Sequence, residues 1–176
     1  MQHAAKPPSA QPLVSTELER GAVDALAERW RAAWEGAGFE GCCTPDVSYE
    51  DPVAVDLLRG VDALDRHAAG LRGAFPDLRV QATAPPLFRG SHACVPWRAL
   101  GTHRGDIGQM LPASDRFVTI HGLHYLELTD GAVRRARGFF DLYDAATQLG
   151  LLPSRGGLGE TALLLLRGFG VRRRPA

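Results

Sequence analysis

Residues 116–142 read RFVTIHGLHYLELTDGAVRRARGFFDL, two runs rich in β-branched and aromatic residues broken by Thr129-Asp130-Gly131. Asp and Gly tolerate the positive φ of a tight hairpin turn, so the stretch reads as two long antiparallel strands, Arg116–Leu128 and Ala132–Leu142. Upstream, Leu78–Arg89 and His92–His103 have the same character, which makes four strands in succession. Before Asp77 the period is helical. Thr16 followed by Glu19 is a capping box, and Val23, Leu26, Ala27, Trp30 and Trp34 then mark one face of a helix from Glu17 until Gly36 and Gly38 end it. A short extended piece, Val47–Glu50, and an Asp51-Pro52 loop lead to a second helix after Gly60. That helix carries Leu64, His67, Ala68, Leu71 and Phe75 on one stripe and stops at Pro76. Helices followed by a run of strands is an α+β order. It predicts a curved antiparallel sheet wrapped with N-terminal helices into a cone around an apolar pocket.

The chain has 176 residues, 45% of them hydrophobic, enough for one domain with its own core. The division predicted is a tail over 1–14, a cone domain over 15–153 and a C-terminal extension over 154–176. In the extension, Leu158, Ala162, Leu165, Leu166 and Phe169 sit at helical spacing ahead of the basic Arg172–Arg174. This amphipathic piece is expected to dock near the mouth of the cone. Lys+Arg and Asp+Glu both number 20, a balance that points away from nucleic acid and toward a small apolar molecule. Cys42, Cys43 and Cys94 form neither a disulfide framework nor a zinc spacing, and no glycine-rich phosphate loop follows a strand. No metal and no cofactor are expected. The start of the chain lacks the apolar run of a signal peptide, and Ala162–Leu166 falls far short of the ~20 residues that span a bilayer. A cytoplasmic protein without membrane contact is the expectation.

Several pieces in fixed order carry a resemblance: Phe75-Pro76-Asp77-Leu78-Arg79-Val80, Val95-Pro96-Trp97-Arg98-Ala99-Leu100-Gly101-Thr102-His103-Arg104-Gly105, Val118-Thr119-Ile120-His121-Gly122, and Gly138-Phe139-Phe140-Asp141-Leu142. Together they resemble the SnoaL-like polyketide cyclases, or ester cyclases, over residues 18–153. The resemblance implies a nuclear-transport-factor-like (cystatin-like) cone, often dimeric through its sheet. It also implies cofactor-independent ring closure of the aldol cyclase or isomerase type, with Asp141 in the position of the acid/base aspartate.

Proton removal next to a carbonyl needs a base, and a carboxylate against an apolar wall suits that role. Asp141 follows Phe139 and Phe140; its other reading is a cap for the next segment or a partner for an arginine. The histidine that shares its pocket depends on the hairpin. A two-residue turn puts Asp141 on one face with His124 and Arg137, whereas a three-residue loop with a bulge brings His121 there instead. Trp97, Phe139 and Leu123 are candidate walls. His103 reads as a donor to a substrate oxygen or as a strand-end residue holding the next turn. His67 on the helix stripe, and Tyr49 and Asp51 at the opening, are candidate ligand contacts, and Arg137 could grip the far end of a substrate. Two functions stay open: acid/base chemistry on a bulky apolar carbonyl compound, or a non-catalytic small-molecule binding and accessory protein. Epoxide hydrolysis, through an Arg-x-Asp pair such as Arg104 and Asp106, is the weaker third.

Overall fold

Helix α1 covers Leu13–Ala32 in the computed structural model, which describes residues 13–107, 111–153, 156–159 and 161–162. It starts before the Thr16–Glu19 box, so Thr16 lies within the helix rather than capping it. Val23, Leu26, Ala27 and Trp30 form its buried face. The helix then loosens into a wide turn over Ala33–Ala37, where Gly36 adopts φ 118°, and Trp34 stays buried there. Such widened turns favour functional sites because they re-aim the side chains on either side. Strand β1 (Cys43–Glu50) follows, longer than the sequence signalled, and β2 (Leu58–Arg59) pairs back on it. Helix α2 (Val61–Ala74) begins after Gly60 and ends before Pro76, with Leu64 and Ala68 fully buried.

The long strand expected over Leu78–Arg89 is two short ones, β3 (Arg79–Ala82) and β4 (Leu87–Arg89), both on β5 (His92–Thr102). Pro85 and Pro86 explain the gap, since neither can donate to a ladder. Strands β6 (Phe117–Thr129) and β7 (Ala132–Phe140) complete the sheet, in the order β2-β1-β7-β6-β5-β3. The sheet is curved and unclosed, and it is mixed rather than purely antiparallel because β1 runs parallel to β7. Chain order accounts for this: β1 precedes the other strands and takes the edge that β7 leaves open. Cys42 O accepts from Val133 N at 2.9 Å there. A short helix α3 (Leu142–Gln148) follows, its first residue being the one that the sequence placed at the end of the last strand.

The hairpin combines features of both alternatives. Asp130 (φ 50°) and Gly131 (φ 77°) form a two-residue turn, so Thr129 faces Ala132 and Leu128 faces Val133. Glu127 then faces Arg135, and the skipped Arg134 is a bulge that shifts every later pair by one. As a result His124 faces Gly138 on the inner side, while Leu123, Tyr125 and His121 point to the outer side with Phe139 and Arg137. The described residues contain no helix long and apolar enough to cross a membrane. Leu165, Leu166, Phe169 and Arg172–Arg174 of the expected C-terminal helix, and residues 1–12 of the expected tail, lie outside the described residues.

The packing predicts a contrast. Leu64 is 0% exposed, so Leu64→Ala should cost about 2–5 kcal/mol, while Val55, 97% exposed, should lose less than about 0.5 kcal/mol on the same change. Urea unfolding of both variants checks it; equal losses would mean that α2 is not packed on the sheet as described.

Candidate active site

Between the inner face of the sheet, α2 and α3 lies a cavity of about 310 Å³. Its wall is almost wholly apolar, with Leu71, Phe75, Val118, Ile120, Phe140 and Leu149 prominent. Tyr49, Asp51 and His124 are the polar exceptions besides two indoles, and Asp51 is the one charged residue among those described in the wall.

These groups form one connected chain. The Trp30 indole N–H donates to His124 Nδ1 at 3.0 Å. With Nδ1 accepting, the proton of the neutral ring is on Nε2, which faces Tyr49 Oη at 3.4 Å. Tyr49 Oη donates to Asp51 Oδ2 at 3.0 Å, and His67 Nε2 lies 2.9 Å from the same oxygen. The other oxygen, Oδ1, accepts from the Val53 and Ala54 backbone N–H groups at 2.8 and 2.7 Å. That backbone turn is the local consequence of Asp before Pro52. The Asp51 side chain is only 3% exposed and that of His67 15%.

Burial sets the charge states. It pushes His124 down to about 3, only weakly opposed by the Asp51 charge, so the ring is neutral near pH 7. Burial, with the charge of Asp51 and the hydrogen bond to it, raises Tyr49 well above the ordinary phenol. Burial also pushes Asp51 upward, but the hydrogen bond and charge of His67 and the two backbone donors outweigh it and hold the carboxyl below its ordinary range. Asp51 is therefore ionised, and the chain of donors runs toward it.

Two glycines make room for this arrangement. A Cβ on Gly138 would come within 2.7 Å of Tyr49 Oη and 3.0 Å of Asp51 Cβ. One on Gly122 would meet the Trp97 ring at 2.5 Å, so the bare backbone of β6 lets that indole lie flat across the sheet. Trp97 and Trp34 both stack on His124, at 5.2 and 5.4 Å between ring centroids.

The structure thus brings together Tyr49, Asp51, His67, Trp97 and His124 from the sequence candidates. It sets the others apart. Arg137, Phe139 and Leu123 are on the outer face, lining a shallow depression with Tyr125 and Cys94: the bulge at Arg134 reverses the parity of the two β7 residues, and Leu123 on β6 alternates with the inward His124. His121 is exposed there, opposite Arg98. Asp141 is exposed, absent from the cavity wall, and caps α3 by accepting from Asp144 N at 2.9 Å. His103 is fully buried but outside the wall; its Nδ1 accepts from Ser114 N, which holds the turn after β5. Arg104 and Asp106 are exposed, and Asp106 binds Ala113 N. Sequence reasoning missed Trp34 as a cavity wall and missed Gly122 and Gly138. The signal was available in the Trp30 and Trp34 pair just ahead of Gly36 and Gly38, and in glycines placed inside otherwise bulky strands.

A helix-wrapped, curved and unclosed sheet is the ketosteroid isomerase-like and SnoaL-like fold. Residues 21–149 match the model of the SnoaL-like polyketide cyclases, and the chain belongs to that family. Among solved structures it is similar to TsrD from Streptomyces laurentii, with 25% identity and a TM-score of 0.67 over 76% of this chain and 98% of that one. A ketosteroid isomerase-like protein from Catenulispora acidiphila, in complex with trimethylamine, matches at 16% identity and TM-score 0.60 over 71% of this chain and 92% of that one. An LEH-like epoxide hydrolase of M. tuberculosis matches at 16% identity and TM-score 0.57, over 84% of this chain and 98% of that one. Comparison with curated proteins finds no match.

The buried neutral imidazole makes a pH prediction. The unfolded chain protonates His124 near its ordinary 6.5 and the folded one near 3, so between these values the unfolded state binds more protons and stability falls as pH falls. The slope from this group approaches about 1.4 kcal/mol per pH unit. The depressed Asp51 adds its own loss lower, below its ordinary value of about 3.9. Denaturant unfolding between pH 7 and 4.5 should show the decline in the wild type and a flatter one in His124→Gln. An unchanged slope in the variant would mean that other groups govern acid sensitivity.

Proposed function

We propose that the protein binds a bulky apolar small molecule in this cavity and performs acid/base chemistry on it, with the buried Asp51–His67 pair as the base. The observation that carries this reading is the placement of one ionised carboxylate, locked in a hydrogen-bonded chain, in a wall that is otherwise apolar. A charge there is costly unless it is paired, and pairing by His67 and Tyr49 keeps it charged while leaving it beside the ligand space. In a carbonyl substrate with an acidic α C–H, that bond would break and its proton pass to Asp51 Oδ2, the bond from the Tyr49 hydroxyl to that oxygen opening as the new O–H forms. The electron pair would then move toward the carbonyl oxygen to give an enolate, the species common to aldol closure and isomerisation. Tyr49 and His67 are positioning residues here, since both hold the carboxylate, and His124 fixes Tyr49. Asp141, the position that the resemblance singles out, is the alternative base, but its cap bond to Asp144 N and its exposure favour a structural role.

The test uses a model substrate, the cyclic aryl ketone 1-tetralone in deuterium oxide, with α-proton exchange followed by NMR. Wild-type protein should accelerate exchange. Asp51→Asn should lose about a hundredfold or more of that rate, and Asp141→Asn should stay within about twofold. Loss on Asp141→Asn with retention on Asp51→Asn would make Asp141 the base. Binding of the ketone with no exchange at all would establish the non-catalytic carrier reading instead.

The outer face of the sheet completes the proposal. Among the described residues helices cover only the inner face, and Leu123 (37%) and Phe139 (44%) are exposed on the other, with the Arg137 guanidinium over the Phe139 ring at 5.1 Å. A second copy of the chain is the partner proposed for this face, since an apolar centre rimmed by the Glu50, Glu127, Arg134 and Arg135 ion pairs suits a symmetric contact. Sedimentation velocity should give a dimer at micromolar concentration, and Phe139→Glu should yield monomer. A monomeric wild type would refute it.

A further inference from the structure

Most of the cavity wall is turned away from solvent, but Val53, Leu142 and Leu151 belong to it and are 39%, 45% and 52% exposed. These three mark the opening. Val53 stands on the loop after β1, where Val55 and Leu57 are exposed as well, and Leu142 is the first residue of α3. The rim is therefore apolar and uncovered among the described residues, at the place where an apolar ligand has to be shut off from water.

The chain leads back to this rim. After α3 the N–H groups of Leu151 and Leu152 bond to Ala146 O at 2.8 and 3.3 Å, and Tyr143 Oη donates to Pro153 O at 3.4 Å, so the exit is held against the helix. Gly159 then returns to the same point, since a Cβ on it would lie 3.0 Å from Pro153 Cβ. Thr161 N bonds to Gly157 O at 3.2 Å, which starts a helical turn, and Leu158 (91%) and Ala162 are both exposed. They begin the stripe that Leu165, Leu166 and Phe169 continue in the sequence. An uncovered apolar stripe thus starts within a few residues of an uncovered apolar rim on the same chain, and the tether makes their meeting intramolecular.

Direction and charge favour that meeting over other partners. The extension begins where α3 ends, so a helix over Leu158–Phe169, roughly 18 Å long, runs back antiparallel to α3 from the Leu151 side of the mouth toward Leu142. Arg172–Arg174 then arrive where Asp141 and Asp144 start α3 and where Asp56 lies on the loop that carries Val53, all three aspartates being exposed. The same aspartates oppose an anionic lipid surface at this mouth.

We infer that Leu158–Phe169 is the outer wall of the cavity mouth, docked across Val53, Leu142 and Leu151 of its own domain with Arg172–Arg174 against Asp56, Asp141 and Asp144. The docking sets how completely a ligand is enclosed, and it holds whether the cavity serves catalysis or carriage.

Paramagnetic relaxation tests the contact without any ligand. A nitroxide on Gly170→Cys, in a Cys94→Ser background because Cys42 and Cys43 are buried, should broaden the methyl signals of Val53, Val55 and Leu142 and spare Leu87 at the far end of the sheet. Dilution with unlabelled protein should leave the broadening intact. Leu165→Asp with Leu166→Asp in the same chain should abolish it, while the methyl signals of Leu64 and Val133 in the core stay in place. Calorimetry with 1-tetralone should give about three- to tenfold weaker binding to a chain ended at Pro153 and to the double-aspartate variant than to the full chain. Unbroadened rim signals, broadening that dilution removes, sedimentation of only the full chain with phosphatidylserine-containing vesicles, or equal tetralone affinity in all three proteins would overturn the inference. The two proposals fail separately: rim broadening in a protein that shows no Asp51-dependent exchange keeps the docked wall and rejects the base, and exchange without rim broadening does the reverse.

Discussion

The hydrogen bond from Trp30 Nε1 to His124 Nδ1 is the constraint on which the site depends. Tryptophan can only donate, so this contact makes one imidazole nitrogen an acceptor and places the ring proton on the other. From that point the direction of every later bond is fixed, through Tyr49 to Asp51, a group that when ionised can only accept. A donor-only residue stands at one end and an acceptor-only residue at the other. The same bond ties α1 to the middle of β6, 94 residues away in sequence, so the seating of that helix on the sheet and the tautomer of His124 are set together. A protonated His124 would have no use for the Trp30 N–H and would place a cation in the core, which is why burial holds the ring neutral.

The backbone does the remaining positioning. Without the bulge at Arg134, the parity after Val133 would run one residue out of step, and an arginine would face the cavity in place of Gly138. The bulge puts glycine opposite His124, and the missing Cβ is the space that the Tyr49 hydroxyl occupies. Gly122, one inward position along β6 from His124, does the same for the Trp97 ring. Large rings and bare backbone alternate across the inner face, so polar groups meet near the floor while the rest of the wall stays apolar. In such surroundings each hydrogen bond is electrostatically stronger than in water, and each unmatched donor more costly.

Much of the fold was legible from the residues, because it rests on signals of period and punctuation. The helical stripe through Trp30 and Trp34, the stop at Pro76 and the Asp130-Gly131 turn gave α1, α2 and the β6–β7 hairpin nearly in place. The parallel β1–β7 pairing was not legible, since nothing local to Cys43–Glu50 states which edge it will find. The candidate site was read in part. Tyr49, Asp51, His67, Trp97 and His124 were on the page as separate residues, but their convergence needs three strands, a loop and a helix to be placed at once. Arg137 and Phe139 were assigned to the wrong face for a single reason: no residue type announces a bulge at Arg134, and one extra residue exchanges the two faces of everything beyond it. Asp141 carried two readings, and the one that the geometry displays, a cap for α3, is what an aspartate does wherever a strand turns directly into a helix.

The parallel pairing of β1 with β7 also accounts for a carboxylate in the cavity wall at Asp51 rather than at Asp141. Glu50 stands level with Arg137, so the next step along each strand sets Asp51 beside Gly138, in Cβ contact range of where that glycine's side chain would be. Both strands leave the sheet at the same end of the cavity. The chain after β7 turns at once into α3, and Asp141 is used up in starting that helix. The chain after β1 turns inward at Pro52, and the backbone donors of Val53 and Ala54 hold the Asp51 carboxylate against the wall. At the end of β1 the turn occupies only Oδ1 of Asp51, and Oδ2 is left for Tyr49 and His67.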